Sequence, residues 1–295
     1  MVSYMHRMLI AIGWMTAACA SAQDSLQPAL ETTYQAWREA MIHRDTTSWQ
    51  KTTAEHRRME IKNRIVSEKR AFPAALFELP APPPSLSGLK FLSANQNGAT
   101  AKAAYFGKID FGVGGEPSDN LLVLSFTRAG TWLYDRADFI NLTALPGVRK
   151  ELAAGDLKYL KETPEVQATG VVPPTPIEAR AAKYIAKVYV FCPGREVRVQ
   201  INKISRHRFA NAKEAEIVIG GALDGSNEVQ FYTQKLPGAT GKEVMTLRVY
   251  LLSEVKDVPP IKAFEYQIAA GESPKSFSTT TFTLDAAMAS KLSAR

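Results

Sequence analysis

The stretch TPEVQATGVVPPTP, Thr163–Pro176, divides the chain. It holds four prolines and no apolar period. Proline fixes φ and restricts the residue before it, so this segment predicts an extended linker, taken as residues 161–180. The cut leaves two halves of domain size in a chain of 295 residues. Before it, helix-like periods precede strand-like runs. After it, strand-like runs fill the sequence. The expected fold class is therefore an α+β domain over residues 26–160, then an all-β domain over 181–286, with a tail at 287–295.

Working back from the linker, Leu26, Leu30, Tyr34, Trp37 and Met41 recur at the spacing of one helix face. His43-Arg44-Asp45 ends that helix, and Thr46-Thr47-Ser48 offers N-cap residues for the next. Residues 54–70 are densely charged, with Met59, Ile61, Ile65 and Val66 as the apolar edge of a surface helix. After the Pro80–Pro84 connection the texture changes. Leu89–Ser93, Thr100–Phe111, Leu121–Thr127 and Thr131–Ile140 read as strands, with Asn97-Gly98 and Ala129-Gly130 as hairpin turns. A charged helical segment near Val148–Lys161 leads into the linker.

Beyond the linker, seven runs read as strands: Tyr184–Cys192, Glu196–Ile204, Glu214–Ile219, Glu228–Gln234, Val244–Leu252, Ile261–Ile268 and Ser276–Leu284. Val197, Val199 and Ile201 alternate with polar residues, as do Leu247, Val249 and Leu251, which suits sheets with one wet face. Seven short strands in about a hundred residues indicate an immunoglobulin-like sandwich by architecture alone. The Cys–Trp–Cys set of true immunoglobulin domains is absent, and no Trp follows Trp132.

At the N-terminus, His6 and Arg7, the apolar run Leu9–Ala18 and the small-x-small site Ala20-Ser21-Ala22 read as a secretory signal peptide, residues 1–22. The expected location is periplasmic or secreted. The alternative is a lipoprotein anchored at Cys19, although Thr16 stands where a lipobox wants a branched aliphatic. Cleavage after Ala22 leaves Cys192 alone, so no intramolecular disulfide is expected, and Cys192 ends an alternating apolar run as a small core residue. The whole chain carries a formal charge of +7. That excess lies mostly C-terminal and lacks the concentrated stripes of a nucleic-acid binder. No second apolar run is long enough for a membrane span.

Tyr34-x-x-Trp37, Arg44-Asp45, Trp49, the entry Asn97-Gly98-Ala99-Thr100-Ala101 and the hairpin Arg128-Ala129-Gly130-Thr131-Trp132-Leu133-Tyr134-Asp135 form a pattern over residues 26–142. This part of the chain resembles the nuclear-transport-factor-2-like superfamily, which includes polyketide-cyclase-like and ketosteroid-isomerase-like proteins. The resemblance implies a curved sheet wrapped round a long helix, forming a cone that holds small ligands, isomerase or dehydratase chemistry, or only a dimer scaffold. An isomerase-like site needs a carboxylate base and an oxyanion donor. Tyr105, Tyr134 and Asp138 are the candidate catalytic residues, and strict alternation sends Asp135 and Asp138 to opposite faces. Tyr34, Trp37 and Trp132 would line a ligand pocket if it is open, and fill it as core if it is closed.

Metal-ligand spacings, a Gly-x-Ser-x-Gly elbow and a Gly-Lys-Ser/Thr phosphate loop are all missing, so no metal or cofactor is expected. Gly112-Val113-Gly114-Gly115 reads as a hairpin loop. His43 and His56 read as exposed residues among charges. Lys203, Arg206 and Arg208 form the one basic cluster, a candidate anion contact or the protective charges of an edge strand. Asn141-Leu142-Thr143 is a formal glycosylation sequon. The function expected from these features is an exported, non-enzymatic binding or scaffold protein whose partner is an envelope protein, a glycan or a small apolar ligand, with a homodimer as a further option. The alternative is a small-ligand carrier or an isomerase/cyclase-like enzyme using the cone.

Overall fold

In the computed structural model the described residues are 13–292, with side chains described from Leu26 onward; the expected signal peptide, residues 1–22 with Cys19, falls outside the described side chains. The protein is α+β, with three four-stranded antiparallel sheets. Among the described residues two compact units are present: residues 13–58 with 77–175, and residues 59–76 with 176–292.

In the first unit, α1 (Gly13–Ile42) presents Leu26, Leu30, Tyr34 and Met41 as its buried face. Asp45, rather than the threonines after it, caps α2 (Thr46–Thr52), because its Oδ1 accepts the Thr47 and Ser48 N–H groups at 2.9 and 3.1 Å. A third helix, α3 (Glu55–Ser67), begins in this unit. Four strands then run as a meander: β1 (Lys90–Asn97), β2 (Thr100–Ile109), β3 (Ser118–Ala129) and β4 (Thr131–Asn141). Gly98 and Gly130 take positive φ at the two tight turns, which is the conformation glycine adopts without strain.

Both faces of this sheet are covered. Ala103, Tyr105, Leu122, Leu124 and Phe126 share one core with α1. On the opposite face Leu92, Ala104, Leu121 and Val123 meet Leu152 of α4 (Pro146–Ala154) and Leu160 of α5 (Lys158–Glu162). Much of the expected linker is fastened down. Val166 is buried in the second of these cores. The Asn95 side chain donates to the Val166 carbonyl at 3.0 Å and accepts the Ala168 N–H at 2.6 Å. Thr100 Oγ1 accepts the Gly170 N–H at 2.9 Å. These bonds satisfy main-chain groups that an extended, proline-rich segment cannot pair with itself.

The second unit takes in most of α3, which sequence alone groups with the first half. Two small polar residues bind it there. Asn63 donates to the Ile177 carbonyl at 2.9 Å and accepts the Ala179 N–H at 2.8 Å. The Ser67 hydroxyl accepts the Gly220 N–H at 2.8 Å.

Eight strands follow: β5 (Ile185–Phe191), β6 (Arg195–Ile201), β7 (Ser205–Ala210), β8 (Lys213–Ile217), β9 (Gly225–Lys235), β10 (Met245–Leu252), β11 (Ile261–Ile268) and β12 (Phe277–Leu284). One sheet runs β11-β10-β5-β8 and the other β12-β9-β6-β7. Their inner faces share one core containing Val188, Val190, Cys192, Val197, Phe209, Phe231, Leu247 and Val249. The tail forms α6 (Ala286–Leu292), with Leu292 buried in that core.

Candidate functional site

In the first unit the aromatic side chains fill the space between α1 and the sheet. The Trp37 and Tyr134 rings lie 4.0 Å apart, and Tyr34 sits 5.6 Å from each. Tyr34 and Tyr134 are buried; Trp37 and Trp132 pack against the same core while half-buried. The Tyr34 hydroxyl donates to the Pro84 carbonyl at 2.7 Å, and the Tyr105 hydroxyl donates to Glu31 at 3.0 Å. Burial raises the pKa of all three tyrosines, most strongly through loss of water around a phenolate. They are thus fixed as neutral donors and packing groups.

The three candidate catalytic residues are not brought together. Tyr105 pairs with Leu122 and Tyr134 with Phe126, on the face toward α1. A β-bulge at Asp135 then changes the phase of β4, since Tyr134 pairs with Phe126 but Arg136 with Ser125. Asp138 consequently pairs with Val123 on the opposite face, where Arg136 contacts its carboxylate at 3.2 Å. No tyrosine–aspartate constellation forms.

The bulge has another occupant. His56, expected to be exposed, is only 3% exposed, and its Nε2 lies 2.9 Å from Asp135. The charged neighbours Glu55, Arg57 and Arg58 hide this inward position in the sequence. On the Asp138 face, Lys102 is buried with its ammonium bonded to the Glu165 carbonyl. Desolvation lowers its pKa, partly countered by Asp138.

One concave feature of the second unit is an open groove of about 470 Å³ on the outer face of the β12-β9-β6-β7 sheet. Register places Arg208, Arg198, Tyr232 and Phe277 in one row across the four strands. The next row holds Arg206, Gln200, Gln230 and Thr279. Alternation turns these side chains outward while Phe209, Val199 and Phe231 enter the core. Phe277 is 60% exposed and Tyr232 is 39% exposed.

Glu196 accepts from Arg208 at 2.6 and 3.0 Å and from Arg198 at 2.6 Å, and these three bonds hold its carboxyl below the usual carboxylate range. Arg206 has no ion-pair partner among the described residues. Of the expected anion contacts, Arg206 and Arg208 line the groove, whereas Lys203 sits in the β6–β7 turn with φ 66° and offers its carbonyl to Gln200. Strand β7 is also a sheet edge, so its arginines stand where edge protection would put them.

Directly behind this face lies a polar chain that sequence reasoning did not find. Ser205 Oγ is 2.7 Å from His207 Nε2, and His207 Nδ1 is 2.6 Å from Glu216. The Ile219 N–H donates to Ser205 Oγ at 2.7 Å. Every group is satisfied when Nδ1–H donates to Glu216 and the serine hydroxyl donates to Nε2. The bonding order matches that of a Ser-His-acid triad. Ser205, however, is 0% exposed and its oxygen already receives an N–H, so no substrate carbonyl reaches it. The chain instead ties β7 to β8, across the edges of the two sheets, and steadies the strand that carries Arg206 and Arg208.

Among the described residues, no group of His, Cys, Asp and Glu side chains is placed to hold a metal ion, and no helix is long and apolar enough to cross a membrane. Cys192 is buried, and burial raises its thiol pKa. No protein-family model, curated protein or solved structure matches this chain.

Proposed function

We propose that this chain is a non-enzymatic binding protein of the periplasm or cell surface. Its binding face is the outer face of the β12-β9-β6-β7 sheet. The observation that carries this is the row Arg208, Arg198, Tyr232 and Phe277, which lines an open groove with exposed guanidinium and aromatic groups on rigid strands. The first unit supports the same reading from the other side. Its Tyr34, Trp37 and Tyr134 rings pack on one another, as a closed scaffold requires. The finer architecture belongs to this proposal as well: a helix-wrapped cone in the first unit and an immunoglobulin-like sandwich in the second, with export directed by residues 1–22. An isomerase or carrier reading loses its support from Tyr105, Tyr134 and Asp138, which lie on two faces of one sheet.

The test is sedimentation of the full chain with insoluble envelope material of its host. A double variant, Tyr232→Ala with Phe277→Ala, is expected to stay in the supernatant while the wild type pellets. Val113→Asp, in the exposed loop between β2 and β3, is expected to pellet like the wild type. Equal pelleting of the double variant and the wild type overturns the proposal.

A further inference from the structure

The groove combines three chemistries on two rows of one sheet face, and together they select a ligand class. At one end are guanidinium forks. Arg198 uses only Nε on Glu196, and Arg208 uses Nε and one terminal nitrogen, so three terminal nitrogens remain free of intramolecular bonds. Arg206 adds a whole guanidinium without an ion-pair partner. Forked N–H pairs of this kind match carboxylates in a bidentate geometry.

On the two middle strands, in the row beside Arg198 and Tyr232, lie two amides. Gln200 spends its N–H₂ on the Lys203 carbonyl at 2.7 Å, and Gln230 spends its own on Glu228 at 3.2 Å. Both residues line the groove, and neither amide oxygen accepts a hydrogen bond among those the described residues make, so each is left to accept from hydroxyl donors. At the far end Tyr232 and Phe277 offer exposed ring faces, which attract the C–H face of a sugar through the ring quadrupole. The four-strand row spans about 14 Å at the ordinary strand spacing.

We infer that this face binds an acidic polysaccharide, a chain of sugars carrying carboxylates, laid across the strands with its acid groups on Arg198, Arg206 and Arg208 and a sugar ring on Tyr232 and Phe277. The inference rests on the reading of this face as the binding surface and names what it binds. A polyphosphate chain fits less well, because it has no hydroxyl donors for Gln200 and Gln230 and no C–H face for Tyr232 and Phe277, all of which line the groove. The His207 chain behind β7 fixes the strand that positions two of the three arginines.

The experiment is calorimetric titration of the full chain with a hexameric galacturonate. A neutral glucose hexamer of the same linkage type and inorganic polyphosphate serve as competitors. The galacturonate is expected to bind, more weakly as salt rises, with Arg206→Glu and Phe277→Ala each lowering affinity about tenfold. Both positions are exposed, so the fold is expected to survive, and circular dichroism checks it. Equal binding of the neutral hexamer, or tighter binding of polyphosphate, overturns the assignment to an acidic glycan. An unchanged affinity in Arg206→Glu overturns it too. If no saccharide binds but the Tyr232→Ala/Phe277→Ala variant still loses the envelope, the glycan inference fails and the binding face stands. If envelope binding is also unaffected, both fail.

Discussion

Ser205→Ala is the substitution whose cost follows most directly from the structure. It removes one oxygen and leaves no cavity larger than that atom. Two partners lose their hydrogen bonds: the buried His207 Nε2, 2.7 Å away, and the N–H of half-buried Ile219, also 2.7 Å away. The imidazole cannot recover its bond from water, since Ser205 is fully buried and His207 nearly so. A buried group left unpaired costs about 1–3 kcal/mol and the half-buried N–H less, so the expected loss is about 2 kcal/mol. The second unit contains no tryptophan, which makes bulk fluorescence a poor reporter. Hydrogen-exchange mass spectrometry across a urea series isolates peptides from β6 to β8 and reports their unfolding separately from the first unit. Arg206→Ala, one residue away on the exposed face, is the control and is expected to change stability by less than ~0.5 kcal/mol. A loss below ~0.5 kcal/mol in Ser205→Ala would refute the view that this polar chain holds β7 to β8.

Three further outcomes follow from other contacts. Asn63→Ala removes both bonds to Ile177 and Ala179, and the backbone of residues 176–182 is expected to exchange at least tenfold faster, as hydrogen exchange will show. Tyr34→Phe deletes the donor to the Pro84 carbonyl while keeping the ring stack. It is expected to cost about 1 kcal/mol by urea unfolding and to loosen the Pro80–Pro84 connection. Lys102 is a base whose folded pKa is depressed by burial, so its charged form penalises the folded state at neutral pH. That penalty is expected to fade as pH rises toward the ordinary lysine value of 10.5, so the stability of the wild type relative to Lys102→Met should rise between pH 7 and 10.5. Thermal unfolding of both proteins across that range checks the sign. A relative stability that falls with pH contradicts it.

The parts of this fold legible in the sequence are those written in a single period. Leu26, Leu30 and Tyr34 marked the buried face of α1, and alternation marked β5, β6 and β10. Strand β7 was hidden for two reasons. Its turn uses Asn202 and Lys203 at positive φ instead of a glycine, and its inward positions are Ser205 and His207, which do not look like core. The bulge at Asp135 was equally invisible. It depends on one extra residue facing His56, and it reverses the phase that alternation assigns to Asp138. The grouping of α3 rests on Asn63 and Ser67, whose role is to bond main chain far away in sequence rather than to add apolar area. The groove was half legible. Arg206 and Arg208 stood out as a basic cluster, but Arg198, Tyr232 and Phe277 join them only through the register of four strands.

The most direct test of the binding face is hydrogen-exchange mapping of the full chain with and without detergent-solubilised envelope polysaccharide. Protection is expected in peptides covering Arg198–Arg208, Gln230–Tyr232 and Phe277, with the α1 and β4 peptides around Tyr34, Trp37 and Trp132 unchanged. Protection confined to the α1 and β4 peptides, with the groove strands unaffected, would contradict the account and return the function to the first unit.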